Sequence, residues 1–201
     1  MSVIQIIVPI VSSQLHFLDG CLDSIKKNTP VDHVVNLTVG KSVREDKIGE
    51  IVAQARTIYD RSGLVISVAD AELGYNGAVM DVLRTSEFTY TVVCPATHRI
   101  EDKSWFGKMQ QPLIKVPACG MTFAFDDMAA NTRQSHPWDW RHKVPSKFFM
   151  IGRDALGTVK NAPHDLDGND IATAVRDHLR TAAAPCWAVP SCRISKYDGE
   201  W

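Results

Sequence analysis

Apolar residues recur in two rhythms along the first half of the chain. Residues 3–8 form a nearly continuous β-branched run, the pattern of a strand buried on both faces. Leu15, Leu18, Leu22 and Ile25 then follow at helical spacing, closing at Lys26, Lys27 and Asn28 and stopped by Pro30. A second strand is expected over 33–39, closed by Gly40. Ile48, Ile51, Val52, Ala55, Ile58 and Tyr59 place one apolar stripe on a second helix. A third strand covers 64–68 after Gly63, Ala78, Val79, Val82 and Leu83 mark a third helix, and a fourth strand covers 88–93.

Strands alternating with amphipathic helices predict an α/β fold, a mostly parallel sheet with helices on both faces. Ligands of such sheets bind beyond the carboxyl ends of the strands, so the loops after Val8, Val39, Val68 and Cys94 form the candidate site. The second half is less regular. Residues 107–147 hold several prolines and a polar, Trp-rich stretch, with a strand expected at 121–125 and another at 147–151. Residues 170–180 read as a helix with Ile171, Ala174, Val175 and Leu179 inward, capped by Asn169 or Asp167. A late strand is expected at 186–189.

At 201 residues and 45% hydrophobic, the chain is sized for one core and one domain. A formal charge of -1 gives no global footprint for nucleic acid or an acidic membrane. The five cysteines form no CxxC pair and read as buried reduced thiols, which suits a reducing cytosol. The apolar run at 3–11 lacks a preceding Lys or Arg, is interrupted by Pro9 and is too short for a membrane span. A cytoplasmic location without a membrane span is expected.

The order of these blocks resembles family 2 glycosyltransferases with the GT-A fold. Residues 4–9 (IQIIVP), with Leu18, Cys21, Leu22, Ser24 and Ile25, are similar to the family's opening strand, Pro-ended turn and first helix. Gly40 and Ser42 sit at its Asp-x-Gly-Ser turn, and residues 73–78 (LGYNGA) resemble its Asn-x-Gly-x-x-x-Ala segment, which lies against the nucleotide. Residues 92–106 resemble its strand, metal motif and Trp-Leu block. Residues 148–156 (FFMIGRDAL) are similar to its acceptor-side strand and Arg-Arg-x-Ala-Leu turn. Residues 165–170, with Val175 and Arg176, resemble its Glu-Asp-x-Asp-Leu…Arg segment, which supplies the base in inverting members.

The departures matter as much. Thr38 stands where the family carries a uracil-contacting Asp, and Ala96 where the metal-motif Asp belongs. The sequence ends at Trp201, soon after the last expected strand, so the C-terminal helices of larger members are not expected. The resemblance implies a GT-A domain over 1–201, with a nucleotide-sugar-binding half at 1–106 and an acceptor-binding half at 107–201. It implies transfer of a sugar from a nucleotide sugar, a UDP-sugar by resemblance, to an acceptor hydroxyl with inversion.

Such a transfer needs the leaving diphosphate neutralised, by Mg2+ or Mn2+ held on carboxylates or by Lys and Arg instead. It also needs a base for the acceptor proton. Asp170 is the first candidate base, with Asp167 and Asp165 behind it; each equally suits a helix cap. His98 and Arg99 are the donor-side candidates for the diphosphate, and Arg141, His142 and Lys143 would close over it on a loop. A displaced metal set would be His98, Glu101 and Asp102, although the two acids also suit a helix start before Trp105. The base and ribose would lie near Pro9, Val11, Gly40, Asp70 and Gly74, where Asp70 equally reads as a turn residue. Trp138 and Trp140, interleaved with cations, suit stacking on a sugar ring or nucleobase, or pinning their loop to the core. The acceptor is therefore left as a glycan or a modified nucleic-acid base. A catalytically inactive nucleotide-sugar-binding protein is the alternative. A nucleotidyltransferase is disfavoured because the loop at 9–15 holds neither Gly nor a cation.

Overall fold

A computed structural model describes residues 4–39, 43, 45–60, 63–68, 75–125, 135–139, 141–161 and 171–196. Gly40, Ser42, Asp70, Gly74, Trp140, Asp165, Asp167, Asn169 and Asp170 lie outside the described residues.

The first strand, β1 (Ile4–Ile10), is buried along its whole length, as its unbroken apolar run requires. Ile4, Ile6, Val8 and Ile10 belong to one core and Ile7 to another on the opposite face. After a 3-10 turn (Ser12–Phe17), helix α1 (Leu18–Asn28) buries Leu18, Cys21, Leu22 and Ile25. Lys26 and Lys27 occupy its last turn, where cations suit the helix dipole. The chain continues through β2 (His33–Val39), α2 (Glu45–Ile58), β3 (Leu64–Val68), α3 (Tyr75–Thr85) and β4 (Tyr90–Val93). These strands lie parallel in the order β3-β2-β1-β4, with Ile7 level with Asn36 on one side and Val93 on the other.

Three elements depart from expectation. Strand β5 (His98–Ile100) leaves the main sheet and pairs antiparallel with β10 (Ile194–Lys196). Helix α4 (Trp105–Lys115) runs through Pro112, a residue that disfavours helix interiors. Its apolar face overrides that penalty: Trp105, Phe106, Met109 and Pro112 are all buried, and Trp105 meets Phe148 edge-on at 5.5 Å. After β6 (Met121–Phe123), β7 (His136–Pro137) and β8 (Phe149–Gly152), the segment expected as a turn is a short helix, α5 (Arg153–Val159). Helix α6 (Ile171–Thr181) and β9 (Cys186–Ala188) precede β10.

Among the described residues the main sheet has eight strands, in the order β3-β2-β1-β4-β8-β6-β9-β7. Strand β8 is antiparallel to β4 and β6, β9 runs parallel to β6, and β7 is antiparallel to β9. The result is a mixed α/β sheet, mostly parallel, with α1, α2 and α4 contributing to one core and α3, α5 and α6 to the other. The carboxyl ends of β1, β2, β3, β4, β6 and β9 share one edge, and β8 starts there. No helix among the described residues is long and apolar enough to cross a membrane.

All five cysteines are free, and only Cys119 is more than marginally exposed. Burial pushes its thiol up to about 12 and that of Cys192 to about 12. Thiolate is the reactive form, so the native protein should react with Ellman's reagent at pH 8 at about one thiol or fewer within minutes. All five should react in guanidinium. Rapid native reaction of two or more thiols would contradict the packing described here.

Candidate functional site

At the sheet's central carboxyl edge, β1 ends at Ile10 beside the end of β4. Pro9 is buried and level with Thr38 of β2. Val11 is extended and half-buried, and its carbonyl accepts from the Gln14 amide at 2.9 Å. Thr38 is itself buried and donates to Asn36 Oδ1 at 3.4 Å, so it presents nothing equivalent to an exposed carboxylate.

Beyond Val93, the Cys94 amide still bonds the Ile7 carbonyl at 2.9 Å, which holds the segment against β1. Cys94 and Ala96 are buried, and the Cys94 and Cys21 sulfurs lie 3.9 Å apart. The His98 amide closes the turn onto Pro95 at 2.8 Å. His98 is fully buried with Nδ1 3.0 Å from Thr97 Oγ1. The Arg99 guanidinium lies flat against α1 at Gly20, where an added Cβ would come within 1.9 Å of Nη2. With Glu101 it lines a groove on the outside of α1, together with Asp23, Lys27 and Asn28. The sequence placed Arg99 on the diphosphate; the pairing of β5 with β10 carries it to this outer groove.

Asp102 turns the other way. It accepts from the Ser104 amide at 2.8 Å and the Ser104 hydroxyl at 2.6 Å, and pairs with Lys108, which also donates to the Ser191 carbonyl. Burial alone would raise its pKa, but the Lys108 ammonium and the Ser104 donors outweigh this and hold the carboxyl below its ordinary value. It therefore acts as a helix-start acid. His98, Glu101 and Asp102 are not brought together, and the described residues contain no group of three His, Cys, Asp or Glu placed to hold a metal ion. A buried alanine and a buried thiol at the end of β4 do not fit a hard divalent cation, which prefers oxygen ligands.

The basic and aromatic loop is pinned to the core. Trp138 meets Phe123 edge-on at 5.1 Å and Phe125 at 5.8 Å, and its Nε1 donates to the His142 carbonyl at 3.3 Å. That carbonyl also accepts from Arg176 of α6, a buried guanidinium whose other arm pairs with Asp177 at 2.6 Å. The Val144 amide donates to Thr173 Oγ1 at 3.1 Å, a second tie to α6. Arg141 is exposed and pairs with Asp139 at 3.1 Å, which holds the Asp139 carboxyl below its ordinary value. His142 and Lys143 are exposed. Of the aromatics proposed for stacking, Trp138 thus serves as an anchor. Arg176 belongs to the segment that resembles the family's base-bearing motif, and nothing in the sequence signals that it holds this loop.

One further cation stands at the carboxyl edge and was read from sequence only as the start of a strand. Lys147 is exposed, immediately before the buried Phe148, and its Nζ lies 5.9 Å from the centre of the Tyr75 ring at the start of α3.

No protein-family model matches the chain, and no curated protein matches it in sequence. Solved structures do match in fold. The mannosyltransferase PcManGT from Pyrobaculum calidifontis, in complex with GDP-Man and Mn2+, superposes with a TM-score of 0.75 at 12% identity, over 99% of this chain and 58% of that one. GalNAc-T7 with UDP, GalNAc and Mn2+ gives 0.70 at 12% identity, over 100% of this chain and 44% of that one. Glucosyl-3-phosphoglycerate synthase from Mycobacterium tuberculosis, with Mn2+, UDP and glucosyl-3-phosphoglycerate, gives 0.63 at 12%, over 98% and 73%. The chain therefore spans little more than half the length of the first of these proteins. The shared architecture is the GT-A fold, and this chain has it.

Two outcomes follow from the packing. Asp102→Asn should cost about 0.5–1 kcal/mol at pH 7, the scale of a partly screened pair. Because the folded carboxyl lies below its unfolded value near 3.9, that contribution is complete above this pH and lost as pH falls through the folded value. Wild type and variant should therefore converge in urea melts at low pH, and a gap that widens on acidification would contradict the pairing. Arg176→Met should cost about 1–3 kcal/mol by removing the charged donor to the His142 carbonyl, which keeps only the Trp138 N–H, and by breaking the pair with Asp177. It should also speed tryptic cleavage after Arg141 or Lys143; unchanged cleavage would remove Arg176 as the anchor of this loop.

Proposed function

We propose that this chain is a glycosyltransferase that moves a sugar from a nucleoside-diphosphate sugar to an acceptor hydroxyl. The observation that carries this is the carboxyl edge of a GT-A sheet, matched over nearly the whole chain to structures that hold GDP-mannose or UDP. In this assignment the half at 1–106 binds the donor, with base and ribose along Pro9, Val11, Gly40, Asp70 and Gly74. A UDP-sugar is the donor suggested by the family resemblance. The half at 107–201 binds the acceptor, a glycan or a modified nucleic-acid base, beside the loop bearing Trp138, Trp140, Arg141, His142 and Lys143.

The chemistry is a displacement at the anomeric carbon. The acceptor oxygen bonds to that carbon while the bond to the β-phosphate oxygen breaks, and the bonding pair leaves on the diphosphate. The acceptor proton passes to a carboxylate, which we assign to Asp170 with Asp167 as the alternate, giving inversion. Both precede Ile171, where α6 begins. Thr173 in the first turn of α6 bonds Val144, just ahead of β8, so this end of the helix faces the same carboxyl edge.

A second reading, a nucleotide-sugar-binding protein without turnover, is favoured by one observation, the buried Ala96 at the end of β4. A single experiment separates the two. UDP- and GDP-sugars are screened by thermal shift in EDTA, Mg2+ and Mn2+, with release of free nucleotide followed in parallel. A donor at about a hundred times its dissociation constant should stabilise the fold by about 2.7 kcal/mol, several degrees in melting temperature. Stabilisation with nucleotide release that Asp170→Asn lowers at least tenfold supports transfer. Stabilisation without release under any acceptor supports binding alone, and no shift with any nucleotide sugar overturns both.

A further inference from the structure

The end of β4 poses an unsolved charge problem if the chain handles a nucleoside-diphosphate sugar, on which the following rests. A diphosphate must be neutralised where the bond to the sugar breaks, and a fixed cation or a metal does this. In this chain the three residues that follow β4 are Cys94, Pro95 and Ala96, none with a charged side chain and all three buried. Two of the cations anticipated from the sequence are engaged elsewhere, and His142 and Lys143 stand exposed on the loop that Trp138 and Arg176 tie down. Arg99 lies in the groove outside α1 and Arg141 is paired to Asp139.

Strand β8 supplies a different cation. Val93 of β4 is level with Phe149 of the antiparallel β8. Extending that register two residues past the last pair would set Lys147 opposite Pro95, at the edge where β4 ends. The backbone on both sides of Lys147 is fixed. The buried Ser146 accepts the Phe148 amide on its hydroxyl at 3.0 Å, and the Phe148 carbonyl accepts the Ala124 amide at 3.3 Å. Ser146 and Phe148 point inward, so Lys147 faces out at the edge. Its ammonium rests near the Tyr75 ring, 5.9 Å from the centre, within the range of a cation–π contact. A lysine held at its stem and by one ring offers three N–H donors to phosphate oxygens beside the end of β4.

We propose that Lys147 binds the diphosphate of the donor and takes the charge-neutralising role that a divalent cation would otherwise fill. It remains an ammonium throughout; it stabilises the electron pair that leaves on the β-phosphate oxygen and transfers no proton.

The test measures binding and needs no turnover. Dissociation constants of UDP and GDP are determined by calorimetry for the full chain in EDTA and in Mn2+. Binding should differ by about threefold or less between the two conditions. In EDTA, Lys147→Gln should weaken binding about tenfold or more, the loss of one charged hydrogen-bonding partner, and Lys147→Arg should recover most of it. The exposed Lys160→Gln on α5's far end should leave binding unchanged and controls for net charge. Because Lys147 is exposed, its variants should melt within a degree or two of wild type, which separates lost binding from lost fold. Binding that requires Mn2+, or that Lys147→Gln leaves intact, overturns the proposal for Lys147 while the donor-binding assignment stands. No binding of either nucleotide in either condition overturns that assignment too.

Discussion

β1 has no solvent side. Its faces are covered by separate cores and its two edges are hydrogen-bonded to β2 and β4. Each isoleucine or valine taken fully from water contributes about 1.5–3 kcal/mol relative to exposure, and five of the seven residues of this strand are of those types. A strand so enclosed meets solvent only at its ends. The neighbouring chain ends must then gather where β1 stops, beside Val11. The candidate site is a consequence of this enclosure: backbone groups come free of the ladder at the carboxyl edge, and nearby side chains converge on it.

The same constraint explains why the end of β4 is so apolar. The Cys94 amide continues the ladder onto Ile7, so the residues following β4 are held over the sheet and their inward side chains enter the core. Ala96 and Cys94 fit there; a carboxylate pointing inward would be buried without a partner, at a cost of several kcal/mol or a neutralising proton. Charge at this edge can come instead from a strand that approaches from the other direction. The antiparallel β8 does so, starting at the edge with Lys147 just outside its first buried residue.

The alternation of β-branched runs and helical stripes carried the first four strands and three helices, with β2 and β3 at their observed bounds, because period and burial agree there. It failed where tertiary packing outweighs local preference. Pro112 discourages a helix, yet α4 continues because Trp105 and Met109 fill the core beneath β4 and β8. The pairing of β5 with β10 joins residues nearly a hundred positions apart, and no local pattern announces it; that pairing removes Arg99 from the edge. Lys147 was invisible for a related reason. A lysine ahead of an apolar strand is unremarkable until the antiparallel register of β8 with β4 puts the start of β8 at the edge where β4 ends. The GT-A resemblance supplied the fold, whereas Asp70, Asp167 and Asp170 belong to segments beyond the described residues.

Residues 135–147 flank both halves of the proposed chemistry. One end carries Trp138 and the cations of the proposed acceptor side; the other ends at Lys147 beside β4. Between them the chain is fastened to α6 at two points, Arg176 to the His142 carbonyl and Thr173 to the Val144 amide. α6 is also the helix that begins directly after the proposed base. A shift of α6 along its axis would therefore move the loop bearing Trp138 and the segment leading to Lys147 together with it. Trp138 resists such a shift, since its ring is already in contact with Phe123 and Phe125 and its N–H is committed. The loop is thus a braced wall, and if it is the acceptor side as proposed, an acceptor ring would stack on the aromatic or cationic groups that project beyond it. Under the proposed function, exposed Arg141, His142 and Lys143 would set that selectivity, while Arg176 and Trp138 hold the loop that bears them.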